Sequence, residues 1–477
     1  MKTLMRFGCS RLSMLMALAI LCMFIPVAAF ALPIVFGVTT TALNPGGASD
    51  INQALKIFFN EPVIENIVHD SELLQIFQED NNVKQDETTG GRYIETAQYF
   101  QLPGGVGARA ENEYIPVPDG PVIQNSRVNL KKVQGVLEMT GDVMRRVKGD
   151  MGAYLNWAER ALPDLVKRVD HEIDRMLLGY GNGAIAKIAA AIANPLPVDR
   201  NFGITGAFPV FLNFLEGMRI VASLNANGSP IRNAGAGQSR QITSIDPAAS
   251  PNTVTLDSAA PAAWANGDFL FPGDDAGVST QDAGGVDREV EGLLGMVDDG
   301  SILATFQNLA RATYKLWQSI MVDSTVAPYN SVLSEDLIVF ADDEVYIKGG
   351  GKADCVITSR SGARSFWKSV KGDRVINDPR AYTGGKGALT ILLGDRDVVF
   401  KAPRKCPYNY TFLLQMDTFK RWTLGGWQWD DTTGAIWNRV TDATGRKDAY
   451  YAVGNLYMQL GCLAPRKNAR INGLVAA

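Results

Sequence analysis

The sequence predicts an α+β fold, and three observations carry that reading. One is a long helix with a single apolar face at Lys148–Tyr180. The second is an extended, glycine-broken arm before it, from Lys84 to Met139. The third is a series of short strands after it, between Gln241 and Phe271 and again from Leu389 onward.

The helix rests on spacing. Leu155, Ala158, Leu162, Leu165, Val169, Ile173 and Met176 recur every three or four residues and draw one apolar stripe. Arg160, Asp164, Lys167, Arg168, Asp170, Glu172 and Arg175 fill the other faces and are expected in water. Asp150 suits the N-cap, and Gly179 opens the stop Gly179-Tyr180-Gly181-Asn182-Gly183. Pro163 is expected to kink or divide the helix. At roughly 1.5 Å per residue the segment spans about 45 Å, and its stripe requires a layer beneath it.

Ahead of the helix, residues 32–50 read as a lead-in and Ile51–Phe59 as a short helix, with a further turn at Leu73, Leu74 and Phe77. Arg92–Phe100 alternates like a strand, and Arg127–Leu137 is its expected partner. Between them, Leu102 to Pro121 is rich in glycine and proline. A hairpin of this size is marginal alone in water, and its open edges invite pairing. It is therefore expected to lie on another subunit.

Behind the helix, Ala184–Ala193 fits either structure type, and Phe211–Leu224 reads as helical. Residues 225–240 form a polar boundary before a β-rich module with strands at Gln241–Ile245, Thr253–Leu256 and Asp268–Phe271. Leu303–Met321 reads as a helix. Ser334, followed by Glu335 and Asp336, caps another that stops at Gly349-Gly350-Gly351. A buried strand is expected at Ala353–Thr358, a helix at Ser361–Val370, and strands at Thr390–Leu393, Asp397–Phe400, Tyr410–Gln415 and Trp427–Trp429.

With 477 residues, 46% hydrophobic and 20% charged, the chain has ample material for a folded core of two or three domains. The net charge of −4 gives no basic footprint, which argues against sequence-specific DNA binding. Residues 1–31 have the basic start, apolar run and Ala29-Phe30-Ala31 end of an export leader, or lie upstream of the true start. Beyond them, Cys355, Cys406 and Cys462 form neither a disulfide framework nor a zinc pattern and are expected as buried thiols.

The inventory of reactive groups is thin. His69 and His171 are the two histidines, which leaves no material for a histidine triad or a multi-histidine metal site, and both are expected at the surface. The glycines at 179, 181 and 183 follow a helix, the reverse of a dinucleotide fingerprint. Gly349-Gly350-Gly351-Lys352 and Gly384-Gly385-Lys386 lack phosphate-loop spacing. Asp274-Asp275, Asp298-Asp299, Asp342-Asp343 and Asp430-Asp431 do not follow a calcium loop and read as solvated turns or helix starts. Asn227 and Asn409 match the short glycosylation pattern, which is common by chance. Trp422, Trp427, Trp429 and Trp437 fit a β-core or subunit interface better than a sugar-binding platform. No catalytic residue, cofactor or metal is expected.

The order of elements resembles the major capsid protein of tailed bacteriophages, the Hong Kong phage-type capsid fold. The residues that carry it are Leu137–Val143 before the helix, Leu177–Gly181 at its end, Gly292–Gly295, Leu333–Leu337, and Ala353–Ser359 with Arg364 after it. The resemblance implies an N-terminal arm at 32–83, an extended loop at 84–140, and a peripheral domain at 141–235 built on a spine helix. It further implies a β-rich insertion at 236–300 and a mixed α/β axial domain at 301–477 that returns a strand to the peripheral domain.

What the family implies for function is a non-enzymatic subunit that self-assembles into hexamers, pentamers and an icosahedral shell around double-stranded DNA. It is expected in the virion of a phage or prophage, after assembly in the host cytoplasm without a membrane. Portal, scaffold and decoration proteins are the expected partners. Arg92, Tyr93, Arg109, Tyr114, Lys131 and Lys132 are the candidates for inter-subunit contact. Some related shells crosslink a lysine to an asparagine, and Lys84, Lys131 and Lys132 fall in the loop region. The leader leaves an exported carbohydrate-binding or carbohydrate-acting protein as one alternative, and a cellular nanocompartment shell of the same fold as another.

Overall fold

The computed structural model describes residues 73, 76, 77, 79 and 80, then 93–142 except 116 and 118. It continues through 157–199, 213–225, 231–232, 239–246, 252–273, 288–370, 390–393, 396–424, 427–431, 436–442 and 445–475. The leader, most of the N-terminal arm, Arg92, His69, Asp150, Asn227, the pair Asp274-Asp275 and Gly384-Gly385-Lys386 lie outside the described residues.

The first strands are β1 (Glu79–Asp80), β2 (Ile94–Gln101), β3 (Val122–Val128) and β4 (Lys131–Thr140). Helix α1 (Trp157–Leu178) follows, running unbroken through Pro163, which does not divide it. Val169 and Ile173 of the predicted stripe are buried and Leu165 and Met176 partly covered, and Leu177 and Leu178, outside the stripe, are buried as well. Each fully buried side chain of this kind contributes about 1.5–3 kcal/mol. Arg175 departs from the expected wet face. It is buried, its Nε donating to Glu172 Oε2 at 2.9 Å and its Nη1 to Glu289 Oε2 at 3.2 Å. His171 is likewise mostly covered, and its backbone carbonyl accepts from Lys405 Nζ. At the end of α1, Gly181 and Gly183 take φ of 80° and 81°, the left-handed conformation that glycine allows.

Strands β5 (Ala186–Ile188), β6 (Leu196–Asp199), β7 (Arg219–Ser223), β8 (Arg240–Asp246), β9 (Asn252–Leu256) and β10 (Phe269–Pro272) close an antiparallel barrel in the order β10-β5-β6-β9-β8-β7. The expected strands of the β-rich module are β8, β9 and β10. The barrel also draws in β5 to β7, from before the polar stretch at 225–240. The helix expected at Phe211–Leu224 is replaced at its end by β7, whose run Ile220-Val221-Ala222 is fully covered. A short continuous apolar run fits a buried strand as well as a helix, and the barrel decides between them.

After the one-turn helix α2 (Leu293–Met296), the helix expected at Leu303–Met321 is absent. In its place stand the hairpin β11 (Thr305–Phe306) and β12 (Leu309–Ala310), a 3₁₀ turn at Lys315–Trp317 and strand β13 (Ile320–Asp323). Gln307 and Asn308 hold φ of 49° and 66°, the two positive values of a tight hairpin turn. Leu303, Phe306, Leu309 and Ala310 stand three or four apart and so imitate helical spacing.

Helix α3 (Glu335–Gly349) begins where expected, with Ser334 Oγ accepting from the Leu337 amide at 3.3 Å. It ends on Gly350 in the left-handed conformation. Strand β14 (Cys355–Thr358) and helix α4 (Arg360–Val370) also match, α4 receiving its cap from Ser359 Oγ through the Gly362 amide at 3.0 Å. Then come β15 (Thr390–Leu393), β16 (Arg396–Lys401), β17 (Thr411–Leu414), β18 (Phe419–Thr423), β19 (Gln428–Trp429), β20 (Trp437–Asp442), β21 (Gly445–Cys462) and β22 (Ala469–Asn472).

Two further sheets form the body. One mixed sheet runs β13-β22-β17-β14-β16-β15, with α3 and α4 on one face over a core of Leu337, Ile338, Val345, Phe366, Val356 and Ile471. The other is gathered on the 18-residue strand β21, which pairs with β4, β18, β19 and β20, while β1 runs parallel to β18. The expected partner of β2 is thereby corrected. β2 pairs with β3, whereas Lys131–Leu137 belong to β4, which pairs with β21 from Met458 to Ala449. Trp422 is buried, and Trp427 packs against the main core, with its ring 5.4 Å from that of Trp429.

Cys355, Cys406 and Cys462 are buried thiols outside any disulfide, and burial pushes those of Cys355 and Cys462 up to about 12. Asn409 is buried too, which closes it to glycosylation in the folded chain. Among the described residues, no helix is long and apolar enough to cross a membrane.

Candidate assembly surface

The hairpin β2–β3 carries two unlike faces, because side chains alternate along a strand. Its register runs from Ile94 opposite Val128 to Gln101 opposite Val122. Ile94, Thr96, Phe100, Ser126 and Val128 are wholly or partly covered, and Glu95, Ala97, Tyr99, Asn125 and Arg127 are exposed. Near the root the exposed face is polar: Arg127 Nε meets Glu95 Oε1 at 2.5 Å, and its guanidinium lies 4.9 Å from the centre of the Tyr93 ring. An exposed pair of this kind contributes about 0–1 kcal/mol, so it orders the strand more than it stabilises the fold.

Toward the tip the character reverses. Tyr99 and Ile123 stand opposite each other in the open, followed by Leu102 at 77%, Val106 at 97%, Ile115 at 90% and Val117 at 84% exposure. Apolar side chains held this far from any core of their own chain mark a surface for another protein.

The root is bolted down. The Arg127 amide donates to Gln307 O at 2.9 Å, in the tight turn between β11 and β12. At the other end of β2, Phe100 packs at a tilt against Tyr314 with ring centres 4.6 Å apart and meets Trp317 at 6.0 Å, so the hairpin is held along its covered face. Trp317 Nε1 in turn donates to Phe306 O at 3.0 Å. The exposed tip therefore extends from a fixed base.

Beneath that base lies a buried charge cluster that overturns the solvated reading of Asp298. Its carboxylate accepts from the amides of Gly300, Ile302 and Leu303, from Ser301 Oγ, and from Arg311 and Arg470, both fully covered. Burial pushes the Asp298 carboxyl up, but the Leu303 amide, Arg470 and the other donors outweigh it and hold the carboxyl below its ordinary value. Asp342 is similarly covered. It accepts from the Ala353 amide and pairs with Arg396 at 3.2 Å. Arg175 plays the same part for α1: Glu289 and Glu172 more than offset the burial that would discharge it. Sequence reading missed these groups because their partners are far away in the chain, as with Asp298 and Arg470.

Of the six candidate contact residues, Arg109 and Tyr114 sit on the exposed tip and Tyr93 at the root. Arg92 lies outside the described residues. Lys131 and Lys132 open β4, which follows the hairpin in the chain but pairs with β21. Lys131 acts on the partly covered Glu291 carboxylate, and Lys132 Nζ lies 6.0 Å from the Tyr457 ring. The sequence did not single out Tyr99, Leu102, Val106, Ile115 or Val117. Their signal is apolar side chains interrupting a segment otherwise made of turn residues. Among the described residues no cluster of His, Cys, Asp and Glu could hold a metal ion.

No family model matches the sequence, and no curated protein matches it. Solved structures do match. The chain is similar to a chain of the cyanophage A-1(L) capsid asymmetric unit, at 10% identity and a TM-score of 0.52, covering 88% of this chain and 97% of that one. The capsid of Myoviridae phage XM1 aligns at 8% identity and a TM-score of 0.42, over 88% of this chain and 98% of that one. The fold is that of phage major capsid proteins, with mixed helices and sheets.

Proposed function

We propose that this chain is the structural subunit of an icosahedral shell that encloses phage double-stranded DNA, assembled from copies of itself. The observation that carries the proposal is the apolar, fully exposed tip of the β2–β3 hairpin on a rigid root, a surface that has a purpose only against another chain. In this reading α1 is the spine of a peripheral domain, the β2–β3 hairpin is the part of 84–140 that lies across a neighbour as the extended loop while β4 stays in the body sheet, and the sheet carrying α3 and α4 is the axial domain. The barrel is an elaboration between them. Portal, scaffold and decoration proteins would meet the shell from outside this chain, and the DNA would be held without sequence reading.

Particle size tests the proposal. The purified full chain is expected as capsomer rings or megadalton shells by sizing chromatography and electron microscopy; a clean monomer at physiological salt would refute it. A variant with residues 102–121 replaced by Asn-Gly is expected to fold with an unchanged melting temperature and to form no closed shells. Closed shells from that variant would remove the hairpin from the interface.

A further inference from the structure

Helices α3 and α4 lie side by side on one face of the same sheet but show solvent opposite chemistry. On α3 the exposed side chains are Glu335, Asp336 and Asp343, with Val339, Phe340, Tyr346 and Ile347 among them; Tyr346 is 59% and Ile347 75% exposed. The helix's last cation, Lys348, is paired with Glu344. On α4 the sequence Arg-Ser-Gly-Ala-Arg-Ser-Phe-Trp-Lys-Ser-Val contains no acidic residue, and burial takes most of its surface. Arg360, Arg364 and Lys368 stay exposed at four-residue intervals, which places them in one row along the helix. α3 packs over β13 and β22 at one end of the sheet, and α4 over β14, nearer the β15 end. One domain thus bears an acidic apolar face at one flank and a basic row toward the other.

We infer that α3 of one copy docks against α4 of the next, a head-to-tail contact between unlike faces of identical chains. Such a contact is heterologous, and repeated about a rotation that closes it makes a ring. The occupant is a second copy because the complementary charge is already on this chain. Arg and Lys have the stems to lie along Val339, Phe340 and Ile347 and the cationic heads to reach the acids beside them or the aromatic faces. The exposed apolar patch rimmed by acids on α3 is thereby given its cover. This rests on the shell reading but assigns the ring contact to side chains distinct from the hairpin.

Charge reversal tests it on the full chain. Asp336→Lys with Asp343→Lys, and separately Arg364→Glu with Lys368→Glu, are each expected to lower the assembled fraction at least tenfold. Circular dichroism and melting temperature should stay close to wild type. Mixing the two variants, or combining all four changes in one chain, is expected to restore assembly, since opposite faces again meet. If Asp336→Lys unsettles the first turn of α3, Asp343→Lys paired with Arg364→Glu carries the same comparison. Single-face variants that assemble like wild type, or a well-folded combined variant no better than either, would overturn the interface and leave the shell standing. A monomeric wild type would overturn both.

Discussion

Gly135 of β4 and Gly454 of β21 stand opposite each other in the sheet, and the indole of Trp427 fills the space that both leave open. A Cβ built on Gly454 would lie 1.9 Å from Trp427 Cζ2, and one on Gly135 would lie 3.1 Å from Cη2 of the same ring and 3.2 Å from Leu165 of α1. The missing side chains let α1 and the tryptophan share the sheet surface. Gly454→Ala is expected to cost about 1–3 kcal/mol through overpacking. Urea denaturation measures it, and the same change in a Trp427→Ala background should cost much less, a coupling of about 0.5–3 kcal/mol. Equal costs in the two backgrounds would disprove the shared space.

Asp298→Asn leaves Arg311 and Arg470 buried against one another with no carboxylate between them. The expected loss is about 3–5 kcal/mol, read as a lower urea midpoint. The wild-type carboxyl titrates below its unfolded value, so its contribution is complete above the ordinary aspartate range near pH 4 and is lost as pH falls through the folded value. Wild-type stability should therefore fall steeply below about pH 4, and the variant's should fall less.

Glu291 has the opposite sign. Burial pushes its carboxyl up, against the pull of Lys131 and Arg311. The group favours the folded state below the ordinary glutamate range, and that contribution disappears as pH rises through the folded value. Glu291→Gln is expected to raise the melting temperature at pH 8 and leave it unchanged near pH 4. A lower melting temperature at pH 8 would show that the charged form is the stabilising one.

Ile173 is fully covered on the inner face of α1. Ile173→Asp buries an unpaired charge, a cost of several kcal/mol that exceeds the margin of many domains. Soluble expression is expected to collapse, whereas Arg168→Asp, on the exposed side, should express normally. Equal solubility of both would mean that the stripe faces water.

Local chemistry made α1, α3, α4 and β14 readable in advance. The three-and-four spacing of Val169, Ile173 and Met176, the Ser334 cap and the Gly350 stop act within a turn or two of the residues they organise. The failures share a different cause. Leu303–Met321 has helical spacing, yet Gln307 and Asn308 turn it back, and only the packing of Phe306 and Trp317 reveals why. Arg127–Leu137 looks like one strand, but the chain passes from one sheet to another between Val128 and Lys131. Arg175 and Asp298 look like surface charges until Glu289 and Arg470 arrive from over a hundred residues away. The apolar hairpin tip was concealed among turn residues whose composition drew attention to flexibility.

The placement of β21 and β22 sets a timetable for the chain. β4 has β21 as its sole neighbour among the described strands, and β13 has β22. Neither sheet can close until residues 445–472 have been synthesised, and pairings across such separations form late. The β2–β3 hairpin, which in the proposed reading reaches a neighbour, is made some three hundred residues earlier, before the strands that complete the body. Synthesis order thus works as a clock: the hairpin's residues emerge first, and the sheets that complete the body come last.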